Sequence, residues 1–121
     1  MKKTAQSLRL AGLALILAGL SAPVLASPKV NQADATKLLA YVQSNGLACM
    51  SCHAVDHRVI GPAWADVALR YHGKSNAEAD VSKAIANGST GLWSGYPPMP
   101  PGMASAAQAP VLAKLILHLV D

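Results

Sequence analysis

The sequence of 121 residues contains no phenylalanine and only two cysteines. Cys49 and Cys52 stand three positions apart, so a disulfide between them would close a very short loop and restrain little of the unfolded chain. A zinc site of four ligands needs more than this pair. A small domain with few large apolar side chains has a thin core and is marginally stable unless a bound group adds apolar surface. These shortages predict a ligand that stabilises the domain.

The amino terminus has the order of a secretory signal peptide. Its basic residues are Lys2, Lys3 and Arg9. An uncharged stretch rich in Leu and Ala follows over residues 10–20, and small or short side chains stand at positions 24 and 26. The apolar stretch is short for a transmembrane helix. We therefore expect cleavage after Ala26, and an uncleaved membrane anchor is the alternative.

Cleavage would divide the chain into a signal peptide, residues 1–26, and one mature domain, residues 27–121. The leader contains three of the ten Lys and Arg residues and none of the six acidic residues. The mature chain then has seven basic and six acidic side chains, a net charge of +1. This balance argues against nucleic acid as a partner, because the positive charge belongs largely to the leader.

Helical periodicity dominates the mature chain, and no β pattern stands out. Asn31 predicts the cap of a first helix over residues 32–45, with Asn45-Gly46 as its stop. Pro62 suits the first position of a second helix, which Gly73 ends. The sequence Ser75-Asn76-Ala77-Glu78 fits the capping box of a third helix that runs to Ala86.

The start of the last helix has two interpretations. Ser105 with Gln108 resembles a capping box, yet Pro110 would then lie just past the first turn and lose a hydrogen bond. A start near Ala109, with Pro110 in the first position, is equally consistent with the sequence. The apolar positions expected to face the core are Ala35, Leu38, Leu39 and Val42, then Trp64, Val67, Ala68 and Tyr71, and finally Leu112, Leu115, Ile116 and Leu119.

Residues 89–104 are dense in glycine and proline, and four prolines bracket Met99. Proline fixes φ and lacks an N–H donor, so neither a helix nor a central strand is expected there. Trp93 and Tyr96 within the segment argue for an ordered loop. Long loops of this kind tend to be functional when they are ordered.

Cys49-Met50-Ser51-Cys52-His53 is the motif for c-type haem attachment. Two thiols at this spacing on a turn can each add to one vinyl group of the same haem, and the next histidine then lies beneath the iron. A thioredoxin-like dithiol would need a βαβ setting, which the pattern does not show. The motif predicts one covalently bound haem c, with His53 as an iron ligand.

The sixth position on the iron decides function, because a strong ligand suits electron transfer and an open position suits binding or catalysis. Met50 lies inside the attachment loop and cannot reach the opposite face. Met99 is preorganised by the flanking prolines, so we predict that it is the ligand, with Met103 as the reserve candidate. The remaining histidines, His57, His72 and His118, have simpler explanations at loops and helix ends, and bis-histidine ligation is the alternative.

Several motifs in the same order resemble the small class I bacterial cytochromes of the c-551/c-552 type. They are CMSCHAVD at 49–56, VIGPAW at 59–64, NGS at 87–89, GLW at 91–93 and PMPP at 98–101. The resemblance extends over nearly all of the mature chain. It implies an all-α class I cytochrome c fold, with about four helices and loops wrapped around one covalently bound haem.

The resemblance also assigns roles by position. It implies thioether bonds at Cys49 and Cys52, His53 as the proximal ligand and Met99 as the distal ligand. The backbone carbonyl of Pro62 would accept the N–H of His53, which orients the ring and tunes its basicity. Trp93 would donate its indole N–H to a haem propionate, whereas the residue alone suggests a core aromatic.

Three positions depart from the family pattern. Family members often have Asn where Gly102 stands, a basic residue at Ala84 and an aromatic residue at Leu115. Lys83 is adjacent to Ala84 but faces another direction on a helix. These differences concern the redox potential and the propionate environment rather than the fold.

The function implied is that of a monomeric periplasmic electron carrier without enzymatic activity or stable membrane insertion. Its redox partners would be a cytochrome reductase as donor and an oxidase, a nitrite reductase or a peroxidase as acceptor. They would dock briefly at an exposed haem edge near Met50, Val59 and Pro62. The alternative is a haem enzyme or gas-binding sensor with an open sixth position, which would need polar catalytic groups beside Met99.

Overall fold

The computed structural model describes residues 18–23 and 28–121. The predicted signal peptide and its cleavage after Ala26 lie, except for residues 18–23, outside the described residues and stay predictions. In the part of the chain that is described, no helix has both the length and the apolar character needed to cross a membrane.

The described chain contains four α-helices and one 3₁₀ helix, joined by loops. They are α1 (Gln32–Ser44), the 3₁₀ helix (Ala48–Ser51), α2 (Trp64–Tyr71), α3 (Ala77–Asn87) and α4 (Gln108–Leu117). Over residues 28–121 there is no strand, and extended pairing is limited to an isolated antiparallel bridge between Ser89 and Met99. The predicted all-α class is confirmed.

Helix α1 begins where the sequence predicts. The Asn31 side-chain oxygen accepts hydrogen bonds from the N–H groups of Ala33 and Asp34, at 3.0 and 3.2 Å. Two of the backbone donors that a helix start leaves without partners are thereby satisfied. The helix ends at Ser44, one residue before the predicted boundary, and Gly46 follows with φ +62°.

The predicted start of α2 is wrong. The helix begins at Trp64, so Pro62 precedes it, buried, and its carbonyl faces the His53 ring instead of a helical turn. The predicted capping box of α3 is also wrong. The helix begins at Ala77, so Asn76 rather than Ser75 takes the cap position, and among residues 28–121 no side-chain hydrogen bond caps the start of α3.

Helix α4 combines the two predicted starts. The Ser105 hydroxyl accepts the Gln108 N–H at 3.2 Å, and the Gln108 side-chain oxygen accepts the Ser105 N–H at 3.0 Å, which is the reciprocal capping box. Regular α-helix begins only at Gln108, so Pro110 lies in its first turn. An N–H is not required there for the helical ladder, and the proline is accommodated.

Helix α4 contacts all three other α-helices, with its largest interface to α3. The large, fully buried side chains are Leu38, Leu112 and Leu119, and many other core positions are alanine. Of the predicted core positions, Leu39 is 37% exposed because it lies toward the solvent edge of α1, and Leu115 is partly buried. The core is thin, as the composition indicates, and beside it lies a large apolar cleft.

Candidate haem site

The cleft encloses about 1170 Å³ of empty space, including its open mouth. Its walls are formed by side chains from the 3₁₀ helix, α2, α3, α4 and the glycine- and proline-rich loop. All the predicted site residues line it, namely Cys49, Cys52, His53, Pro62, Trp93 and Met99. Residues that are up to 50 positions apart in the sequence therefore face one cavity.

The 3₁₀ helix folds the cysteine motif into a tight turn. The N–H groups of Cys52 and His53 both donate to the Cys49 carbonyl, at 3.1 and 3.0 Å. The side chains of Cys49 and Cys52 lie at the cleft wall, each partly buried. Burial raises the pKa of the Cys49 thiol, because the thiolate would lose hydration there. The turn thus presents two thiols and one imidazole to the same cavity.

Two backbone hydrogen bonds close the loop that follows the cysteine motif. The N–H groups of Ile60 and Gly61 both donate to the Cys52 carbonyl, at 3.1 and 2.7 Å. This double contact returns the chain to the motif after residues 54–59. As a result, Pro62 lies beside the ring of His53.

The His53 ring is held on three sides. Its Nδ1 lies 2.8 Å from the Pro62 carbonyl oxygen, and an Nδ1–H donating there leaves Nε2 as the lone-pair nitrogen. The ring stacks on that of the buried Trp64, with centroids 5.8 Å apart and planes 16° apart. On the remaining side Gly61 approaches so closely that a Cβ atom would lie 2.5 Å from His53 Cε1. The imidazole is preorganised before any metal binds.

Gly61→Ala tests this preorganisation. The added methyl group would displace the His53 ring and lengthen its hydrogen bond to Pro62, so we expect the haem-loaded protein to lose about 1–3 kcal/mol of unfolding free energy, as in overpacked cores. Urea unfolding monitored by haem absorbance would measure the loss. An unchanged unfolding midpoint would show that the ring has room to move, contrary to this account.

Met99 is fixed through its backbone. Its N–H donates to the Ser89 carbonyl at 2.9 Å, and its carbonyl accepts the Ser89 N–H at 3.0 Å. Gly88 permits this pairing, since it has φ +75° and a Cβ atom there would lie 2.5 Å from the Met99 carbonyl oxygen. Met103 also lines the cleft. The bridge between Ser89 and Met99 was not predicted from the sequence. Gly88 was the one residue that could have indicated it.

Gly88→Ala and Gly73→Ala form a matched pair. Both glycines have positive φ, +75° and +72°, but of the two only Gly88 has other protein atoms within 4 Å of the place that an alanine Cβ would occupy. We expect Gly73→Ala to lower the unfolding free energy by about 1–2 kcal/mol from backbone strain. Gly88→Ala adds a backbone clash, together with the strain of a backbone with ψ 176° that glycine alone adopts readily, and should lose about 1–3 kcal/mol more. Equal losses in urea unfolding would contradict the close packing on Met99.

Trp93 lies at the cleft wall, partly buried, with the edge of Tyr96 against it at a centroid distance of 6.0 Å. Donation of its indole N–H to a haem propionate stays a prediction. Ala84 also lines the cleft and contributes no charge, while Lys83 beside it is exposed. The Trp93 N–H is thus a polar donor in a mostly apolar wall.

The other histidines lie away from the cleft. His57 pairs with Asp56 at 2.8 Å on the surface, and this hydrogen bond lowers the pKa of the Asp56 carboxyl. His72 and His118 follow the carboxyl ends of α2 and α4 and are exposed. None of the three is among the described residues that line the cavity, which leaves Met99 and Met103 as the candidates for the second axial ligand.

The exposed apolar patch beside the motif differs from the prediction in one residue. Met50, Val59 and Ile60 are 45%, 44% and 52% exposed. Pro62, which was expected at this edge, is buried because its carbonyl is turned inward to His53. Ile60 takes its place at the surface.

The site fits a haem group. Apolar walls suit a porphyrin ring, the paired thiols suit two vinyl groups, and the His53 ring is oriented by its bond to Pro62 as metal-binding histidines are. The close approach of Gly61 to the Cε1, Nδ1 and Nε2 atoms of His53 leaves the ring little room to move. The donor set and the shape of the cleft therefore agree with the cysteine motif.

Comparisons with known proteins agree with this site. The family model described as Cytochrome c matches residues 47–119. Cytochrome c-551 of Pseudomonas aeruginosa is 46% identical over 69 residues, which are 57% of this chain and 65% of that protein. Cytochrome c-552 of Nitrosomonas europaea is 43% identical over 72 residues, 59% of this chain and 69% of that protein.

A solved structure agrees with the fold as well. The crystal structure of wild-type Nitrosomonas europaea cytochrome c552 matches with a TM-score of 0.59 and 39% identity. The match covers 67% of this chain and 98% of that one. The chain therefore belongs to the cytochrome c family, as a class I member of the c-551/c-552 type with a covalently bound haem c.

Proposed function

We propose that this protein is a periplasmic one-electron carrier whose haem iron is held by His53 and Met99. The observation that supports the proposal most strongly is that both side chains line one apolar cleft and both are fixed by contacts to the backbone. Cys49 and Cys52, in the tight turn beside His53, would form the two thioether bonds.

A bound haem supplies an iron that cycles between the ferric and ferrous states by one electron. The Met99 thioether, a soft neutral donor, would favour the ferrous state and raise the potential. Apolar walls act in the same direction, because they disfavour the extra charge of the ferric state. The contacts that fix the His53 ring and the Met99 backbone would favour retention of both ligands in either state.

The character of the cleft favours a carrier over an enzyme. Among the described residues that line it there is no Arg, Lys, Asp or Glu, and near Met99 the wall is mostly Pro, with Ser89 as a polar neighbour. A haem peroxidase or a gas sensor would need polar groups beside an open iron position. Trp93 offers an indole donor, which suits a propionate group.

Partners would dock at the apolar patch of Met50, Val59 and Ile60, which lies beside the motif. Such a patch suits brief contacts of small area. The donor would be a cytochrome reductase, and the acceptor an oxidase, a nitrite reductase or a peroxidase. With a net charge of +1 in the predicted mature chain, long-range electrostatic steering would be weak.

Electron self-exchange tests the proposed role. Mixtures of ferric and ferrous protein, produced with its haem in an exporting host, would be followed by NMR line broadening while peroxide and oxygen consumption are measured in parallel. A carrier exchanges electrons rapidly between its own molecules and turns over neither oxidant. Sustained catalytic reduction of peroxide or oxygen, with slow self-exchange, would favour the haem enzyme.

A further inference from the structure

The loop that contains Met99 is held at its base, where its first and last residues pair, and at the opposite, far end. This loop, residues 89–99, is called the Met99 loop below. At its base are the two backbone hydrogen bonds between Ser89 and Met99. At its far end the Tyr96 N–H donates to the Trp93 carbonyl at 3.2 Å, and the two rings meet edge to face. The far end has no strand or helix to hold it, so its stability depends on contacts from elsewhere.

Arg58 makes one of these contacts, from 37 residues away in sequence. Its Nη2 donates to the Gly95 carbonyl at 2.6 Å, and its guanidinium carbon lies 3.9 Å from the centre of the Tyr96 ring. A single side chain thus binds both the backbone and an aromatic ring of the loop end. Charge-assisted hydrogen bonds and cation–π contacts are among the stronger polar interactions at a surface.

The segment that carries Arg58 is itself fixed to the haem motif. Arg58 lies between His53 and Pro62, which are joined by the 2.8 Å contact. Two residues further along the chain, Ile60 donates its N–H to the Cys52 carbonyl. Arg58 therefore links the side of the cleft that holds His53 to the loop that holds Met99.

Arg70 holds the same loop from a different element. It lies in the last turn of α2, and its guanidinium carbon is 4.4 Å from the centre of the Trp93 ring. Because Trp93 and Tyr96 contact each other, the four side chains form a continuous row from Arg70 to Arg58. The loop end is held between two cations from two separate elements.

We propose that Arg58 and Arg70 are positioning residues that clamp the Met99 loop and set how often the Met99 sulfur leaves the iron. The proposal rests on the Met99 ligation proposed above. An irregular loop opens locally without unfolding of the domain, and contacts that exist only in the closed loop slow that opening. An added ligand such as imidazole binds the ferric iron only after the sulfur has left, so its binding rate reports loop opening.

The test uses the haem-loaded protein with Arg58→Met and Arg70→Met, which keep an unbranched side chain and remove the guanidinium. Imidazole binding to the ferric protein is followed through loss of the far-red sulfur-to-iron band. We expect binding about tenfold faster in Arg58→Met, which loses a hydrogen bond and a ring contact, and about threefold faster in Arg70→Met. Arg58→Lys keeps the cation without the planar fork and should lie between the wild type and Arg58→Met.

Lys74→Met is the matched control, because it removes a cation that lies 5.0 Å from the Tyr71 ring, outside the Met99 loop. Its imidazole rate should equal that of the wild type. If the arginine variants lower the urea midpoint but leave the rate unchanged, or if Lys74→Met accelerates binding equally, the clamp is overturned. A wild-type protein without the sulfur band would overturn the Met99 ligation itself, and the clamp with it, before any variant is compared.

Discussion

Replacing Cys49 and Cys52 together with alanine will yield a protein without covalent haem and without a stable fold. Both thiols lie on one tight turn at the cleft wall, and the turn contains no other group that forms a thioether bond. Among the described residues the remaining core is thin, because many of its buried positions are alanine. A small domain has about 5–15 kcal/mol of stability in total, so loss of a group that fills the cleft removes a large share of it.

Haem staining after denaturing electrophoresis and far-ultraviolet circular dichroism would measure the two effects. The matched controls are Met50→Ala and Ser51→Ala, which alter the same turn without removing a thiol. Both controls should keep the stained band and the helical signal. A double cysteine variant that still stains after denaturation would contradict covalent attachment through these residues.

If Met99 binds the iron as proposed, Met99→Ala should open the sixth position of the iron. The variant should lack the far-red sulfur-to-iron band in the ferric state, bind carbon monoxide readily when reduced, and have a lower redox potential because the soft donor that favours ferrous iron is gone. The backbone bridge to Ser89 does not involve the Met99 side chain, so the loop and the fold should be retained. Optical spectra, carbon monoxide titration and potentiometry provide the three measurements.

Met103→Ala is the matched control, since Met103 lines the same cleft. It should retain the sulfur band and exclude carbon monoxide. If the band disappeared in Met103→Ala and persisted in Met99→Ala, Met103 rather than Met99 would be the iron ligand. The proposed ligand would then be wrong although the haem assignment would stand.

Of the three side-chain caps predicted from local patterns, those of α1 and α4 are present and that of α3 is absent. The Asn31 cap and the reciprocal bonds of Ser105 and Gln108 are formed by neighbours in sequence, and the structure contains both. The preference of proline for the first helical position failed at Pro62, because a contact to His53 nine residues earlier outweighed it. Local propensity is a weak prior when tertiary contacts compete with it.

The sequence predicted which residues form the site, but apart from the Pro62 contact it did not predict the contacts that hold them in place. The cysteine motif and Met99 stand out in the sequence, but what fixes them is non-local. The close approach of Gly61 to the His53 ring and the pairing of Ser89 with Met99 depend on chain folding. The contact from Arg58 to Gly95 crosses 37 residues, and no periodicity or spacing indicates it.

The most direct test of the account is the addition of carbon monoxide to the reduced, haem-loaded wild-type protein. If His53 and Met99 both bind the iron, the optical spectrum should remain unchanged at neutral pH, and the ferric form should show the sulfur-to-iron band. Rapid, stoichiometric formation of a carbon monoxide complex would show a vacant iron position and would contradict the closed electron carrier described here.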